Sequence, residues 1–155
     1  MNQKIISYNS IFAQEFYKLN VEWLESFFYV EDFDREVLSN PKKYIINKGG
    51  HIFFVLENQT IIGTVALMKT KKNSFELTKM AIIPEKRGNK IGQHLMKYCI
   101  EFAEENNFDK LILYSNTILR NAIHIYKKHG FTEVPVEENS PYKRSNIKME
   151  LVLNE

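Results

Sequence analysis

A short segment that joins an apolar stretch to a helical pattern carries the residues best suited to bind an anion. It reads MAIIPEKRGNKIG over residues 80–92, with Pro84 ending the apolar stretch and glycines at positions 88 and 92. This order predicts a strand, a glycine-containing loop and the first turn of a helix. Backbone N–H groups at a helix start lack partners within the helix, and the helix dipole favours negative charge there. The segment therefore predicts a binding site for a pyrophosphate.

The elements that position this loop follow from the hydrophobic pattern. Before the loop, the pattern predicts a strand at 4–8, helices at 11–28 and 31–38, and strands at 51–56, 61–68 and 75–83. Polar turns at 57–60 and 69–74 separate the last three strands. Strands joined by such short turns form an antiparallel meander.

A different alternation follows the loop. It predicts a helix from Ile91 that fades at 104–107, a strand at 110–114, a helix at 119–129, strands at 131–134 and 146–153, and a loop at 135–145. The unit from 75 to 114 is strand, helix, strand, which requires a right-handed crossover and a parallel strand pair. The expected fold is α/β, an α+β arrangement with a mixed sheet in the order β-α-α-β-β-β-α-β-α-β-β.

Length and composition narrow the class of protein. The 155 residues suit one domain, spanning 1–155, and 44% apolar with 26% charged residues is typical of globular proteins. A net charge of +2 does not indicate a nucleic-acid partner. No apolar run approaches the ~20 residues of a membrane span, and the N-terminus lacks a signal-peptide pattern, so a cytoplasmic location is expected. The lone Cys99 excludes an intrachain disulfide, and the four scattered histidines do not suggest a metal site.

Two matched segments make the chain resemble the GNAT superfamily of acyl-CoA-dependent N-acetyltransferases. The family's pyrophosphate loop reads Gln/Arg-x-x-Gly-x-Gly/Ala, and here it is Arg87, Gly88, Asn89, Lys90, Ile91 and Gly92. Lys90 departs from the pattern, because glycine is usual there. The second segment is Asn121-Ala122, then Tyr126, then Gly130-Phe131. The resemblance implies a GNAT-like fold whose parallel strands splay apart.

The resemblance also implies how acetyl-CoA would be held as co-substrate, without a metal. The pantetheine arm would pair with the backbone of Met80, Ala81 and Ile82. The pyrophosphate would lie on Arg87, Gly88, Asn89, Lys90, Ile91, Gly92 and Gln93, with Asn121 nearby. Lysine at 90 keeps the backbone N–H but lacks the torsional freedom of glycine. Its side chain would either contact a phosphate or face solvent.

Two further side chains are implied in catalysis. Glu76 lies eleven residues before Arg87, where some family members carry a catalytic glutamate. It interrupts an apolar strand, and burial would raise its pKa toward a value useful for a general base. The alternative places Glu76 on a solvated face of the strand. The resemblance makes Tyr126 the acid that protonates the leaving thiolate, and the alternative is a tyrosine of the core.

The acceptor pocket of such a fold is formed by the first two helices and the loop before the last strand. The helices offer Trp23, Phe27, Phe28, Tyr29, Glu31, Asp32, Phe33 and Asp34, and the loop offers Tyr142 and Arg144. Acidic and aromatic groups suit an amine, whereas Arg144 suits a carboxylate on the acceptor. The alternative is a packed helix face and a solvated loop. A small amine, an amino-acid derivative and a protein amine all remain open.

The expected function is transfer of an acetyl group from acetyl-CoA to a primary amine by direct attack on the thioester. The alternative is a non-catalytic module that binds or senses acyl-CoA on the same fold. A nucleotide-binding P-loop protein is disfavoured because no Gly-x4-Gly-Lys-Ser/Thr follows the strand. Many relatives form dimers, so a homodimer is possible.

Overall fold

The computed structural model describes residues 3–154, and residues 1, 2 and 155 of the expected domain lie outside the described range. The strands are β1 (Gln3–Ser7), β2 (His51–Glu57), β3 (Thr60–Lys71), β4 (Ser74–Ile82), β5 (Lys110–Ser115), β6 (Thr132–Val134) and β7 (Ile147–Val152). The α-helices are α1 (Ala13–Phe27), α2 (Asp32–Ser39), α3 (Pro41–Tyr44), α4 (Ile91–Glu105) and α5 (Arg120–Lys128). Short 3-10 turns occupy Ser10–Phe12, Ile46–Lys48 and Pro84–Lys86.

The seven strands form one mixed sheet in the order β1-β2-β3-β4-β5-β7-β6. All neighbours are antiparallel except β4 and β5, which are parallel as the crossover rule requires. The predicted mixed α/β fold is therefore confirmed. The parallel pairing joins Ser74, Phe75 and Glu76 to Lys110, Leu111 and Ile112 and goes no further. Beyond Glu76 the two strands diverge, which opens a cleft in the middle of the sheet.

Helices cover both faces of the sheet, and the strands supply apolar side chains to each face in alternation. On β2, Phe53 and Val55 pack with the cluster that contains α4, whereas Ile52 and Phe54 pack with the cluster that contains α1 and α2. This period of two is the signature of a strand buried on both sides. Cys99 of α4 is buried, and burial raises the pKa of its thiol, so it behaves as a core hydrophobe.

Three differences from the predicted strands and α-helices exceed a shift of one residue at an element's end. The turn expected at 69–74 is wrong over most of its length, because β3 continues to Lys71 and β4 begins at Ser74. The first helix begins with a 3-10 turn, in which the Asn9 side chain accepts a hydrogen bond from the N–H of Ile11. Helix α3, which starts at Pro41, was not predicted. Its four residues are too few to show a helical period.

Candidate active site

A cavity of about 280 Å³ occupies the cleft where β4 and β5 separate. One wall is residues 77–82 of β4, and the opposite wall is residues 113–116 at the end of β5. The remaining lining comes from α1, α5, Arg87 and the 135–146 loop before β7: Asn20, Trp23, Leu24, Phe28, Leu119, Ala122, Tyr126, Tyr142, Arg144 and Ser145. The cavity therefore runs from the glycine loop at one end to the loop before β7 at the other.

The glycine loop leads into α4 with its backbone donors available. Among residues 3–154, no side chain caps the helix, and its first internal bond runs from His94 N–H to the Lys90 carbonyl at 3.1 Å. The N–H groups of Ile91, Gly92 and Gln93 therefore have no partner inside the helix. A Cβ on Gly92 would lie 3.5 Å from Met80 Sδ, so the helix start adjoins the end of the β4 wall. This arrangement suits a phosphate group.

Lys90 adopts the conformation that glycine would adopt at the same place. Its φ is +64°, in the left-handed region, and Gly88 two residues earlier has φ +84°. The Lys90 side chain is exposed. The departure from the family pattern therefore changes a side chain and leaves the backbone turn in place.

Arg87 lies at the glycine-loop end of the cavity. Its guanidinium pairs with Glu22 of α1 and lies 5.3 Å from the ring centre of Phe27. The Nε atom is buried without a hydrogen-bond partner among residues 3–154. Arg87 thus retains a buried donor beside the predicted pyrophosphate loop.

A β-bulge interrupts β4 beside the cleft. Thr64 pairs with Ala81 and Ala66 with Thr78, so four residues of β4 face three of β3. Lys79 is inside this bulge with φ +56°. Side chains three positions apart on a regular strand point to opposite faces, but a bulge re-aims them. Here it brings Lys79 to the same side as Glu76.

The Tyr142 hydroxyl is the point at which these β4 side chains converge. It donates to Glu76 Oε2 at 2.7 Å, accepts from Lys79 Nζ at 3.2 Å and lies 3.3 Å from Thr78 Oγ1. Tyr142 lines the cavity, whereas Glu76 does not and is only 6% exposed. Glu76 is therefore buried behind the phenol, and the solvated-face alternative for it is wrong.

Burial controls the ionisation of Glu76, Lys79 and Tyr142. It raises the pKa of the Glu76 carboxyl, against the opposing charge of Lys79 and the hydrogen bonds from Tyr142 and Thr78. Burial also lowers the pKa of the Lys79 ammonium, although Glu76 and Asp34 favour its charge. The pKa of Tyr142 is raised well above 10 by burial and by Glu76. The phenol therefore keeps its proton while it donates to the carboxylate.

Arg144 is already paired with carboxylates of α2 and its cap. It donates to Asp34 Oδ2 at 2.5 Å, to Asp34 Oδ1 at 3.0 Å and to Glu31 Oε2 at 2.8 Å. Burial would raise the pKa of Asp34, but hydrogen bonds from Arg144 and the charge of Lys79 lower it overall. The expectation that Arg144 is free to bind a carboxylate of the acceptor does not fit this pairing. Glu31 and Asp34 are likewise engaged and do not present a free charge to an amine.

Tyr126 of α5 lines the cavity on the β5 side, and its ring also packs against Phe131 of the core. Burial raises the pKa of its phenol, opposed by a hydrogen bond with Ser115. Asn121, in the first turn of α5, is exposed and does not line the cavity, whereas the next residue, Ala122, does. Tyr126 thus lines the cleft directly, whereas Glu76 is buried behind Tyr142.

Some of the other predicted site residues line the cavity, and the rest lie outside its lining. Met80, Ala81 and Ile82 line the cavity with Arg87, but residues 88–93 lie outside its lining. Of the aromatic acceptor candidates, Trp23 and Phe28 line the cavity, whereas Phe27, Tyr29 and Phe33 are exposed. Asp32 is exposed as well.

Sequence reasoning missed Lys79. The available signal was a second charged residue in the apolar strand, three positions after Glu76. On a regular strand that spacing separates the two side chains, so the signal has meaning only once the bulge is known.

Within residues 3–154, no helix is long and apolar enough to cross a membrane. In the same part of the chain, no three His, Cys, Asp or Glu side chains are grouped as a metal site requires.

Known proteins share both the sequence pattern and the fold. N-acetyltransferase 14 of Xenopus tropicalis, described as probable, is 30% identical over 78 residues, which cover 50% of this chain and 38% of that protein. The chain thus matches less than half the length of this curated relative. A GNAT-family acetyltransferase of Staphylococcus aureus Mu50 has a crystal structure with TM-score 0.86 and 24% identity, covering 98% of this chain and 99% of that one. The PaiA N-acetyltransferase of Thermoplasma acidophilum, crystallised with coenzyme A, has TM-score 0.74 and 17% identity, covering 98% and 99%.

The sequence model of the acetyltransferase (GNAT) family matches residues 13–131, from the start of α1 through α5. This range includes the diverging strands, the glycine loop, Tyr126 and the helices α1 and α2. The chain therefore belongs to the GNAT family of acetyltransferases.

Proposed function

We propose that this protein transfers the acetyl group of acetyl-CoA to a primary amine by direct attack of the amine on the thioester carbonyl. The attack forms a C–N bond, the C–S bond breaks, and coenzyme A leaves as a thiolate. The divergence of β4 and β5 carries this proposal. It opens a cavity that has Arg87 near an uncapped helix at one end and the Tyr142–Glu76 pair at the other.

The residues of the glycine loop would hold the pyrophosphate. Residues 87–93 supply backbone N–H groups at the start of α4 together with the Arg87 guanidinium. Met80, Ala81 and Ile82 line the cleft and would pair with the pantetheine arm, with Asn121 as an outer contact. A backbone N–H near Met80 would polarise the carbonyl. The thioester supplies the activated acyl group, and no metal is required for this chemistry.

Glu76 would act as general base through Tyr142. An alkylammonium has a pKa near about 10.4 and cannot attack while protonated. Tyr142 lines the cavity, and its hydroxyl oxygen would take the amine proton as its own proton passes to Glu76 Oε2, 2.7 Å away. The raised pKa of Glu76 makes it a better proton acceptor than an exposed glutamate.

Tyr126 would protonate the departing thiolate. Its raised pKa keeps it in the phenol form, which is the form that can donate. It lines the wall opposite β4, so acid and base would act from different sides of the cleft. General acid or base catalysis by one group typically contributes about 10²–10⁴ in rate.

The test is a free-thiol assay of coenzyme A release with a panel of amines. It compares the native protein with Glu76→Gln and Tyr126→Phe, and with the controls Glu101→Gln and Tyr98→Phe on α4. We expect each site variant to lower kcat by at least about tenfold with acetyl-CoA affinity nearly intact, and the controls to match the native rate. Tight acetyl-CoA binding without release for any amine would favour the non-catalytic module instead. A native rate for Tyr126→Phe would refute its acid role.

Location and assembly belong to the same proposal. We expect a cytoplasmic enzyme without nucleic-acid or membrane partners, and light scattering would decide whether it forms the homodimer that many relatives form.

A further inference from the structure

We propose that the acceptor is an α-amino acid, or a compound with the same carboxylate beside its amine, and that Lys79 binds this carboxylate. The inference rests on the proposed function, because it assigns the acceptor class of that site. It starts from the charges that face the cavity.

The charged residues that line the cavity, among residues 3–154, are all cationic. They are Lys79, Arg87 and Arg144. The carboxylates that accompany them, Glu22, Glu31, Asp34 and Glu76, do not line the cavity. An acceptor inside the cleft therefore meets positive charge first, which favours an anionic group and disfavours a polyamine.

Two of these cations are already committed. Arg87 lies at the pyrophosphate end and pairs with Glu22. Arg144 has three hydrogen bonds to carboxylate oxygens of Asp34 and Glu31. Both guanidinium groups are therefore already paired with carboxylates of the protein.

Lys79 differs from the arginines in the geometry of its contacts, although the charges of Glu76 and Asp34 both favour its ammonium form. The residue is 7% exposed, and its nearest carboxylate oxygen, Asp34 Oδ1, is 3.5 Å away. Asp34 already accepts shorter bonds from Arg144. An ammonium has three N–H donors, and those of Lys79 find two partners among residues 3–154, Tyr142 and Asp34. A bound carboxylate would supply the missing partner in a site shielded from water.

The geometry also places the amine. Lys79 Nζ and the Tyr142 hydroxyl are 3.2 Å apart. An α-amino acid carries its carboxylate and amine on one carbon atom. If the carboxylate binds Lys79, the amine lies beside the Tyr142–Glu76 pair that accepts its proton. The neighbouring ammonium also disfavours a second positive charge, which promotes the neutral, nucleophilic amine.

The first test compares each amino acid with its own amide, such as phenylalanine with phenylalaninamide and leucine with leucinamide. The amide loses the negative charge, and its amine is more acidic, so without carboxylate recognition the amide would react faster. We expect kcat/KM for the best amino acid to exceed that of its amide by at least about tenfold, and to exceed that of spermidine.

The second test removes the cation. Lys79→Met keeps the length of the side chain, and methionine at this position has to adopt the same left-handed backbone conformation as lysine. The matched control is Lys97→Met on the exposed face of α4. We expect Lys79→Met to lower the ratio of kcat/KM for acid over amide by about 10- to 100-fold. Lys97→Met should leave the ratio unchanged. Calorimetry of the best amino acid, without acetyl-CoA, should show a matching loss of affinity in Lys79→Met.

The outcomes separate the two proposals. Coenzyme A release with amides or polyamines equal to or better than amino acids overturns this inference and leaves the proposed function standing. If no amine in the panel releases coenzyme A, the proposed function fails, and the calorimetric comparison of acids with amides still decides the carboxylate site. Equal loss for acid and amide in Lys79→Met would show a structural role. If that variant does not fold, Lys79→Gln and the native comparison decide the question.

Discussion

The hydroxyl of Tyr142 is the link on which the proposed base depends, and a double-mutant cycle with Glu76 tests it. Glu76 does not line the cavity, and the lining residue Tyr142 donates to Glu76 Oε2 from its hydroxyl oxygen at 2.7 Å. If protons reach Glu76 only through this oxygen, then removing either group breaks the same relay. Tyr142→Phe and Glu76→Gln should therefore have similar effects, and the double variant should be little worse than either one.

The size of the effect follows from the contacts. A general base is worth about 10²–10⁴ in rate, which is about 2.7–5.5 kcal/mol at 1.36 kcal/mol per decade. Independent effects of this size would multiply, so the double variant would fall by about 10⁴–10⁸. A shared relay predicts a double variant within about tenfold of each single variant, and so a coupling energy close to the whole single effect. Tyr142→Phe also leaves Glu76 and Lys79 each without one partner, which should cost about 1.5–3 kcal/mol of unfolding free energy.

The assay is kcat for coenzyme A release at saturating acceptor, with acetyl-CoA affinity measured separately to exclude loss of binding. Urea denaturation of all four proteins shows that the variants remain folded at the assay temperature. Tyr98→Phe, whose ring packs on Phe53 in the core, is the control for loss of a tyrosine hydroxyl outside the site. Multiplicative effects, or a near-native rate for Tyr142→Phe, would refute the relay and require another route to Glu76.

Three further predictions concern pH, stability and the glycine loop. Because burial raises the pKa of Glu76, kcat should rise with pH through a midpoint above the ordinary glutamate value of about 4.3, and Glu76→Gln should remove this limb. A limb unchanged in the variant would assign it to another group. Asp34→Asn leaves Arg144 under-compensated in a buried site and should cost about 3–5 kcal/mol of unfolding free energy, against less than about 1 kcal/mol for the exposed control Asp32→Asn. Since the pKa of Asp34 is lowered in the folded state, the stabilisation by ionised Asp34 is present above the ordinary aspartate pKa of about 3.9 and is lost as pH falls through the lowered value. Equal urea midpoints for Asp34→Asn and Asp32→Asn would contradict the pairing of Asp34 with Arg144. Lys90→Gly should keep the acetyl-CoA Kd within about threefold, because the backbone turn is retained and the lysine side chain is exposed, whereas a tenfold weaker Kd would show that its ammonium contacts phosphate.

The sequence predicted those parts of the fold in which local pattern and burial agree. The apolar run at 51–56 and the helical spacing from Ile91 each follow from burial of the element against the core, and both elements were confirmed. The polar residues at 69–71 were assigned to a turn because their side chains indicated exposure. They remain in β3 because Lys69 and Lys71 pair with Phe75 and Ser74 of β4, and backbone pairing leaves little trace in side-chain polarity.

The residues of the candidate site also differ in how well the sequence predicted their positions. Arg87 and Tyr126 could be identified because short motifs place them next to elements that the sequence predicts well. The pairing of Arg144 with Asp34 could not, since it joins residues 110 positions apart through a loop without periodicity. Lys79 could not be placed either, because one extra residue in a bulge reverses the face to which the side chains after it point.

Two lysines adopt the left-handed conformation, one in the cleft wall and one in the glycine loop. Lys79 has φ +56° and Lys90 has φ +64°, and for a residue with a Cβ this conformation costs about 1–2 kcal/mol. Glycine would remove this cost at either position, so the contacts of each lysine side chain show whether the side chain is needed there. The Lys90 side chain is exposed and makes no hydrogen bond or ion pair with residues 3–154, so Lys90 contributes a backbone turn that glycine would form equally well. The Lys79 ammonium is buried against Tyr142 and Asp34, and its burial opposes the charge that Glu76 and Asp34 favour, so both the backbone conformation and the burial of Lys79 carry a cost. A residue that is unfavourable twice over at the wall of a binding cleft is best explained by a ligand that needs its charge.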